Sequence, residues 1–253
     1  MENVVLKALQ DASPAAISGR LRPVDFQHGT VVAETGARID TVLFPVSGMI
    51  SLVVELQNGE CVEAAIVGRN GVVGAAACFG ARFHVNTAFA QVPGRGWAMA
   101  ASDFQKIVRG DETLMALLQA HEQFVLAQAQ QTAACSAKHH IPHRLASWLL
   151  RTADLVDSND IPLTQEFIAQ MLGVQRASVS IFAAQLQDEG LIRYRRGRLT
   201  ITDYTGLKNR ACECCEALEA QQRRLFGGPP RYRETSIGAG NGSIGAAAAP
   251  RSA

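Results

Sequence analysis

The stretch from Thr164 to Ile201 constrains the fold more than any other part of the sequence. "LTQEFIAQMLGV" and "QRASVSIFAAQLQDEG" each carry apolar residues at helical spacing, and Gly173 separates them. Thr164 suits an N-cap, and glycine supplies the left-handed conformation of a sharp turn. Small Ala169 and apolar Val179 flank that turn at the spacing of a helix-turn-helix. Helical hairpins that do not bind DNA can show the same pattern, so the pattern alone does not establish a helix-turn-helix.

The next segment, "LIRYRRGRLTI", predicts a β-hairpin that turns at Arg196-Gly197. The whole chain has a formal net charge of only +1, from 24 Lys and Arg against 23 Asp and Glu, so a cationic tip must serve a local contact. A hairpin that follows a second helix is a wing, whose cations would lie on a phosphate backbone. A solvated charged hairpin is the alternative. The predicted phosphate contacts are Arg193, Arg195, Arg196 and Arg198.

The N-terminal end of the second helix is expected to face base edges in the major groove. Arg176 is the strongest candidate, because a guanidinium can donate two hydrogen bonds to guanine. For each serine in this region, a place on the solvated helix surface without a DNA contact is an equally good interpretation. The other predicted DNA-binding residues of the two helices are Thr164, Gln165, Gln175, Ala177, Ser178 and Ser180.

Residues 1–110 predict an antiparallel β-roll, similar to a jelly roll, behind a short amphipathic helix within residues 1–20. Short β-rich runs such as "MISLVVEL" and "CVEAAIV" alternate with turn signals from Leu21 to Met99. "LQNGE" is the strongest hairpin signal, and Asn58-Gly59 predicts a type I′ turn.

Residues 111–138 predict one long helix between the two halves. An apolar stripe repeats at three- and four-residue steps and becomes polar toward its end. We interpret the stripe as a homodimer seam, and a helix lying on its own sheet is the alternative. The predicted seam consists of Leu114, Leu117, Leu118, His121, Phe124, Val125 and Gln128.

The fold class is therefore α+β, with a roll, a long dimerisation helix and a winged helix-turn-helix. The winged domain is assigned to residues 139–226, with Pro142 in the first turn of its first helix. Residues 227–253 are rich in Gly, Ala, Ser and Pro, a composition that predicts a disordered tail.

This order of parts resembles the Crp/Fnr family of bacterial transcription regulators. The segment "RLASWLLRTADLVDSNDIPLTQEFIAQMLGVQRASVSIFAAQLQDEGLIRYRRGRLTITD" is similar to that family's DNA-binding half. The resemblance implies a homodimer on palindromic double-stranded DNA, with recognition helices in successive major grooves. RNA polymerase and an unknown small-molecule effector are further partners that it allows.

The departures from the family bear on the signal. The cyclic-AMP branch binds its nucleotide with a Gly-Glu and an Arg-Ser pair, where this chain has Gly74-Ala75 and Asn86-Thr87. Arg82 is a weak substitute for the missing arginine, so we expect no cyclic-AMP binding. The oxygen-sensing branch uses an N-terminal cysteine group for an iron–sulfur cluster, and residues 1–60 contain no cysteine. In the recognition helix, Ala177 and Ile181 occupy positions where the cyclic-AMP branch has Glu and Arg.

No catalytic residue, metal ligand or cofactor is predicted. The roll's His28 and His84 stand far apart, which argues against a cupin-type enzyme. His139, His140 and His143 are interpreted as solvated or capping. Cys212, Cys214 and Cys215 are interpreted as reduced thiols packed on a helix, with a redox or metal-sensing role as the alternative.

The chain shows no apolar run long enough for a membrane span and no export signal, so we expect a cytoplasmic protein that does not engage a membrane. A rival interpretation is a ligand-binding or scaffold protein whose winged domain contacts another protein. The arginine-tipped hairpin and Arg176 favour a polyanion.

Overall fold

A computed structural model describes residues 3–226, and the predicted disordered tail lies outside this range. The chain begins with helices α1 (Val4–Ala12) and α2 (Pro14–Ile17). Asn3 caps α1 by accepting from the Leu6 amide, and its own amide donates to Pro45 O at 2.8 Å and Gly71 O at 2.7 Å. One buried side chain therefore fixes the N-terminal helix to the roll.

The roll consists of two antiparallel sheets, as the sequence predicts. The three-stranded sheet has the order β1 (Arg22–Phe26), β7 (Gly94–Ala100), β3 (Thr41–Pro45). The four-stranded sheet has the order β2 (Val31–Ala33), β6 (Thr87–Val92), β4 (Met49–Glu55), β5 (Cys61–Val67). A 3-10 helix spans Ala75–Phe79 between β5 and β6. The side chains that the two sheets direct toward each other form an apolar core that includes Phe26, Leu43 and Ile50.

The β4–β5 hairpin has a different turn from the predicted type I′. Leu56 pairs with Glu60 through a 2.8 Å backbone hydrogen bond, so three residues form the loop. Gly59 has φ +82°, whereas Asn58 keeps a negative φ and its side chain accepts from the Glu60 amide. A type I turn followed by a left-handed glycine fits the twist equally well, and Asn58 stabilises it from its side chain.

Helix α3 (Ala101–Val108) leads into the long helix α4 (Glu112–Lys138), which Asp111 caps. The stripe predicted as a dimer seam faces the chain's own roll: Leu114, Leu118, His121, Phe124 and Gln128 are buried, and Leu117 and Val125 are half-buried.

The two polar members of this stripe complete the roll's backbone hydrogen bonding. Gln128 Oε1 accepts from Ile66 N at 3.1 Å, and Gln128 Nε2 donates to Ile66 O at 3.2 Å. Ile66 lies in β5, an edge strand whose outer amide and carbonyl would otherwise be unpaired. His121 Nε2 likewise accepts from Val72 N at 3.1 Å. The stripe becomes polar because α4 covers a sheet edge.

Up to residue 226, the C-terminal half contains five helices and a small sheet. Its elements are α5 (Ile141–Val156), β8 (Asp160–Ile161), α6 (Gln165–Leu172), α7 (Arg176–Asp188), β9 (Ile192–Arg195), β10 (Arg198–Ile201), α8 (Tyr204–Arg210) and α9 (Cys214–Phe226). The sheet has the order β8-β10-β9. Pro142 lies in the first turn of α5, as predicted. Strand β8 pairs with β10 through Ile161 and Leu199.

In residues 3–226 no individual helix is both long and apolar enough to cross a membrane; only α6 and α7 together, bent by 111°, meet that criterion of length and composition.

A buried carboxyl joins the two halves. Glu63 of β5 accepts from Trp148 Nε1 of α5 at 2.8 Å and hydrogen-bonds Ser51 Oγ at 2.7 Å. Burial raises the pKa of Glu63, although the bond to Ser51 and the charge of Arg151 oppose the shift. The carboxyl therefore takes up a proton more readily in the folded state than in the unfolded state.

We expect Glu63→Gln to stabilise the protein as the pH rises above the unfolded-state pKa of Glu63. In the wild type, unfolding then releases this proton, so the free energy of unfolding falls by about 1.4 kcal/mol for each unit of pKa difference and levels off above the folded pKa. Glutamine keeps the contacts of the neutral acid and removes the titration. Urea unfolding between pH 5 and 8 measures the effect. Exposed Glu55→Gln is the control, and equal slopes for wild type and Glu63→Gln would contradict the prediction.

Candidate nucleic-acid interface

Helices α6 and α7 form the bent pair that the sequence predicts. Their axes differ by 111°, within the range of a helix-turn-helix. Thr164 caps α6 by accepting from the Phe167 amide at 3.2 Å. Gly173 ends α6 with φ +62°, and a Cβ at this position would lie 3.2 Å from Val62 Cγ2 of β5. The turn therefore requires glycine for its backbone conformation and for its close approach to the roll.

The packing of the pair directs one face of α7 outward. Val179, Ala183 and Leu186 are buried against α5 and α6, together with Ala169. Gln175, Arg176 and Ala177 are exposed at the N-terminal end of α7. The solvent-facing side of the helix thus begins with the residues predicted to read bases.

One apolar residue on the same face was not among the predicted contacts. Ile181 lies one turn after Ala177 and is 58% exposed. Exposed isoleucine in the middle of a polar helix face indicates a contact surface, since apolar side chains can pack on a thymine methyl. Its position four residues after Ala177 places it on the same helix face, and this spacing could have identified it from the sequence.

Ser180 and Ser178 are less accessible than predicted, because both are half-buried. Ser180 Oγ hydrogen-bonds Gln165 Oε1 at 2.7 Å and Arg176 O at 3.1 Å. Ser180 therefore fixes the start of α6 to α7, and Gln165 is its partner.

The segment after α7 is the predicted hairpin. Arg196 and Gly197 have φ +50° and +75°, so both central residues of the two-residue turn are left-handed. Tyr194 OH donates to Leu163 O at 2.6 Å and holds the hairpin against the start of α6. A Cβ on Gly197 would lie 3.9 Å from Thr164 Cγ2. The hairpin tip and the α6 N-terminus are therefore neighbours.

The four arginines of the hairpin are not equivalent. Arg198 donates to Asp160 from Nη2 at 2.7 Å and from Nε at 3.2 Å, and this bonding lowers the pKa of the Asp160 carboxyl. Arg193, Arg195 and Arg196 are exposed, and none of them forms an ion pair within residues 3–226. Arg195 and Arg196 lie at the turn, the charge of Arg193 also acts on Asp160, and Arg198 mainly links β10 to β8.

Arg176 is close to the same surface. Its Nε lies 3.7 Å from Glu166 Oε2 in an exposed ion pair. Such a pair contributes little to stability and exchanges readily for another anion. The structure thus gathers Thr164, Gln165, Arg176 and the hairpin tip on one side of the C-terminal half.

Two family models match the chain and together cover more than half of it. A cyclic nucleotide-binding domain matches residues 23–111, and a Crp-like helix-turn-helix domain matches residues 143–210. The roll precedes the helix-turn-helix along the chain, which is the domain order of one group of regulators. The chain belongs to the Crp/Fnr family. Its C-terminal half is a helix-turn-helix DNA-binding domain, and the family's function is transcription regulation.

Solved structures, one of them named as a Crp/Fnr-family protein, have the same fold. FixK2 from Bradyrhizobium japonicum matches with a TM-score of 0.66 and 17% identity, over 76% of this chain and 98% of its own. A Crp/Fnr-family transcriptional regulator from Thermus thermophilus matches with a TM-score of 0.63 and 23% identity, over 75% of this chain and 98% of its own. At these identities the likeness shows the fold alone. The Thermus thermophilus protein is named as a transcriptional regulator, and transcriptional regulators are not enzymes. No curated protein sequence matches the chain.

The positions that correspond to the nucleotide-binding pairs of the cyclic-AMP branch have other contacts in this Crp/Fnr chain. Gly74 and Ala75 begin the 3-10 helix, and Ala75 is buried. Thr87 starts β6, and its hydroxyl accepts from the Thr35 amide at 3.2 Å. These positions provide packing and backbone contacts, without a carboxylate or a guanidinium.

Proposed function

We propose that the chain is a homodimeric, sequence-specific DNA-binding regulator of transcription that acts in the cytoplasm. The observation that carries the proposal is the shared surface of α7 and the hairpin. Ser180, Tyr194 and Gly197 each contact the segment Leu163–Gln165, so that segment positions both elements. A duplex could meet the exposed face of α7 and the cationic tip at the same time.

Each exposed group then has a distinct role. Arg176 donates to the O6 and N7 atoms of guanine, and Ile181 packs on a thymine methyl. Thr164, at the N-terminus of α6, contacts a phosphate. Arg193, Arg195 and Arg196 neutralise neighbouring phosphates, and Arg198 assists once Asp160 releases it.

We place the homodimer seam on the face of α4 that points away from the roll. Residues there are exposed, uncharged and separated by alternating steps of three and four, which is the period of a coiled coil. Leu126, at the centre of the stripe, is 57% exposed. The seam consists of Ala116, Gln119, Gln123, Leu126, Gln130, Ala133 and Ala137.

This seam replaces the one predicted from periodicity, because the predicted residues are engaged within the chain. Small alanines would let two α4 helices approach closely, and three glutamines could hydrogen-bond across the symmetry axis. Two helix-turn-helix units related by this axis would read two half-sites of a palindrome.

We further propose that the roll does not bind cyclic AMP. The support is the side chains at the four key positions, where alanine and asparagine offer no ligand for ribose hydroxyls or a cyclic phosphate. Another small-molecule effector and RNA polymerase are the partners that a regulator of this design would use.

Selection of bound fragments from sheared genomic DNA tests the proposal directly. We expect enrichment of a palindrome with half-sites about one helical turn apart, bound at least about a thousandfold more tightly than a shuffled duplex. Anisotropy titrations at one fixed salt concentration measure both affinities, in buffer alone and with the small-molecule fraction of a cell extract added. Equal affinity for both duplexes in both conditions would reject the proposal.

A further inference from the structure

Four potential metal ligands converge where the long helix meets the DNA-binding domain. The Sγ atoms of Cys135, Cys212 and Cys214 and a ring nitrogen of His139 all lie within 4.8 Å of one another. Cys135 Sγ is 3.5 Å from Cys212 Sγ, and Cys214 Sγ is 3.3 Å from His139 Nδ1. Around one tetrahedral zinc ion, with bonds of about 2.0–2.3 Å, ligand atoms stand about 3.3–3.8 Å apart.

Three chain segments build this cluster. Cys135 lies in the last turn of α4, and His139 is the residue on which that helix ends, one turn further on. Cys212 follows α8, and Cys214 is the first residue of α9. Ser147 of α5 positions Cys212, because its hydroxyl oxygen accepts from the Cys212 amide at 3.1 Å and lies 3.1 Å from Cys212 Sγ.

The surroundings of the cluster orient its members as ligands. His139 Nε2 lies 3.1 Å from Glu213 Oε1, so the carboxylate holds the proton on Nε2 and leaves the Nδ1 lone pair directed at Cys214. Metal-binding histidines are commonly fixed by a carboxylate in this manner. Gln131 Nε2 donates to Cys214 Sγ at 3.0 Å, and the Cys214 amide donates to Cys212. Both hydrogen bonds hold these sulfur atoms in position.

We propose that Cys135, His139, Cys212 and Cys214 bind one Zn²⁺ ion with tetrahedral geometry. Three thiolates and an imidazole are a donor set that zinc prefers, and four protein ligands leave no open position. The ligand atoms are too close together to surround an iron–sulfur cluster. On binding, each cysteine that is still protonated releases its proton to solvent.

The ion would fasten the DNA-binding domain to the long helix. Its ligands come from the end of α4 and from the start of α9, which runs back along α4 and brings Phe226 into edge contact with Phe124 at 6.0 Å. The site therefore sets the angle at which the helix-turn-helix leaves the dimer helix. Zinc binding at this cluster is independent of DNA recognition.

A disulfide between Cys135 and Cys212 is the competing chemistry, because these sulfurs are neighbours. A disulfide would use only two of the four groups. It would not explain why His139 and Cys214 approach the same point, or why Glu213 orients His139. The convergence of all four groups favours the metal.

The test measures the metal content of the full chain, purified with reductant. Elemental analysis gives the metal, and a thiol count gives the reduced cysteines. We expect about one Zn²⁺ per chain, and Co²⁺ substitution should give the visible bands of tetrahedral cobalt with thiolate charge transfer. Zinc should raise the thermal midpoint of the apoprotein by about 5 °C or more. Cys135→Ser and His139→Ala should each weaken Zn²⁺ binding at least tenfold, and His139→Cys should restore binding with a shifted cobalt spectrum.

Two matched variants make the test specific. Cys215→Ser changes the adjacent buried cysteine, and His140→Ala changes the adjacent histidine, and neither residue belongs to the cluster. Both should bind zinc like the wild type. Failure of the folded, reduced wild type to bind zinc, or equal affinity in Cys135→Ser and the wild type, would overturn the proposal. Recovery of a Cys135–Cys212 disulfide from cells lysed in acid and alkylated would overturn it in favour of the redox alternative.

Discussion

Replacing Arg176 with alanine should remove most of the preference for the selected palindrome and leave binding to a shuffled duplex nearly unchanged. Arg176 is exposed at the start of α7, and its side chain forms an exposed ion pair with Glu166. A two-point contact to guanine contributes about 1–3 kcal/mol of discrimination, and a symmetric dimer loses it twice. The affinity for the palindrome should therefore fall about 30-fold or more.

Arg196→Ala provides the contrast, because the tip of the hairpin carries charge without reading sequence. This variant should bind both duplexes more weakly, and the slope of log affinity against log salt should become less steep by about two for the dimer. Arg210→Ala is the matched control: Arg210 is exposed, but it is bonded to Glu189 at the far end of α7. If Arg176→Ala weakened both duplexes equally, or if Arg196→Ala changed discrimination alone, the assigned roles would be wrong.

The helix-turn-helix could be predicted from the sequence because its determinants are local. Thr164 caps its own helix, Gly173 makes its own turn, and Arg196-Gly197 closes a hairpin between adjacent strands. Each feature acts over fewer than ten residues, so composition and spacing suffice. The same reasoning located the roll strands and the long helix.

The face of α4 could not be assigned in this way. A repeat of apolar residues shows that one side of a helix is covered, and it does not show what covers it. His121 and Gln128 carried the missing information, since polar residues in an apolar stripe indicate unpaired backbone groups on the covering surface. A sheet edge has such groups, and a second helix does not.

The cluster of cysteines and a histidine could not be predicted from the sequence for a different reason. Cys135 and Cys212 are 77 positions apart, and only the return of α9 along α4 brings them together. Cys214 and Cys215 are adjacent in sequence, yet only Cys214 belongs to the cluster, because the helix directs Cys215 into the core. Spacing alone grouped Cys215 with its neighbours and left Cys135 aside.

Leu126→Glu should convert the dimer to monomers and abolish tight binding to the palindrome. In the proposed seam Leu126 meets its symmetry mate, so the substitution places two carboxylates opposite each other in an apolar contact. Desolvation and repulsion cost several kcal/mol, which corresponds to a dimer dissociation constant at least about a hundredfold higher. The fold itself should persist, because Leu126 is 57% exposed within one chain.

Sedimentation equilibrium gives the dissociation constant, and anisotropy on the palindrome gives the consequence for DNA. Val85→Glu is the matched control, since this residue is 90% exposed on a roll loop away from α4. It should leave assembly unchanged. Phe124→Ala separates the two faces of the helix: it removes a side chain buried in the chain's own core, so it should lower the free energy of unfolding by about 3 kcal/mol or more. If Phe124→Ala dissociated a well-folded dimer while Leu126→Glu did not, the seam would lie on the face first predicted from periodicity.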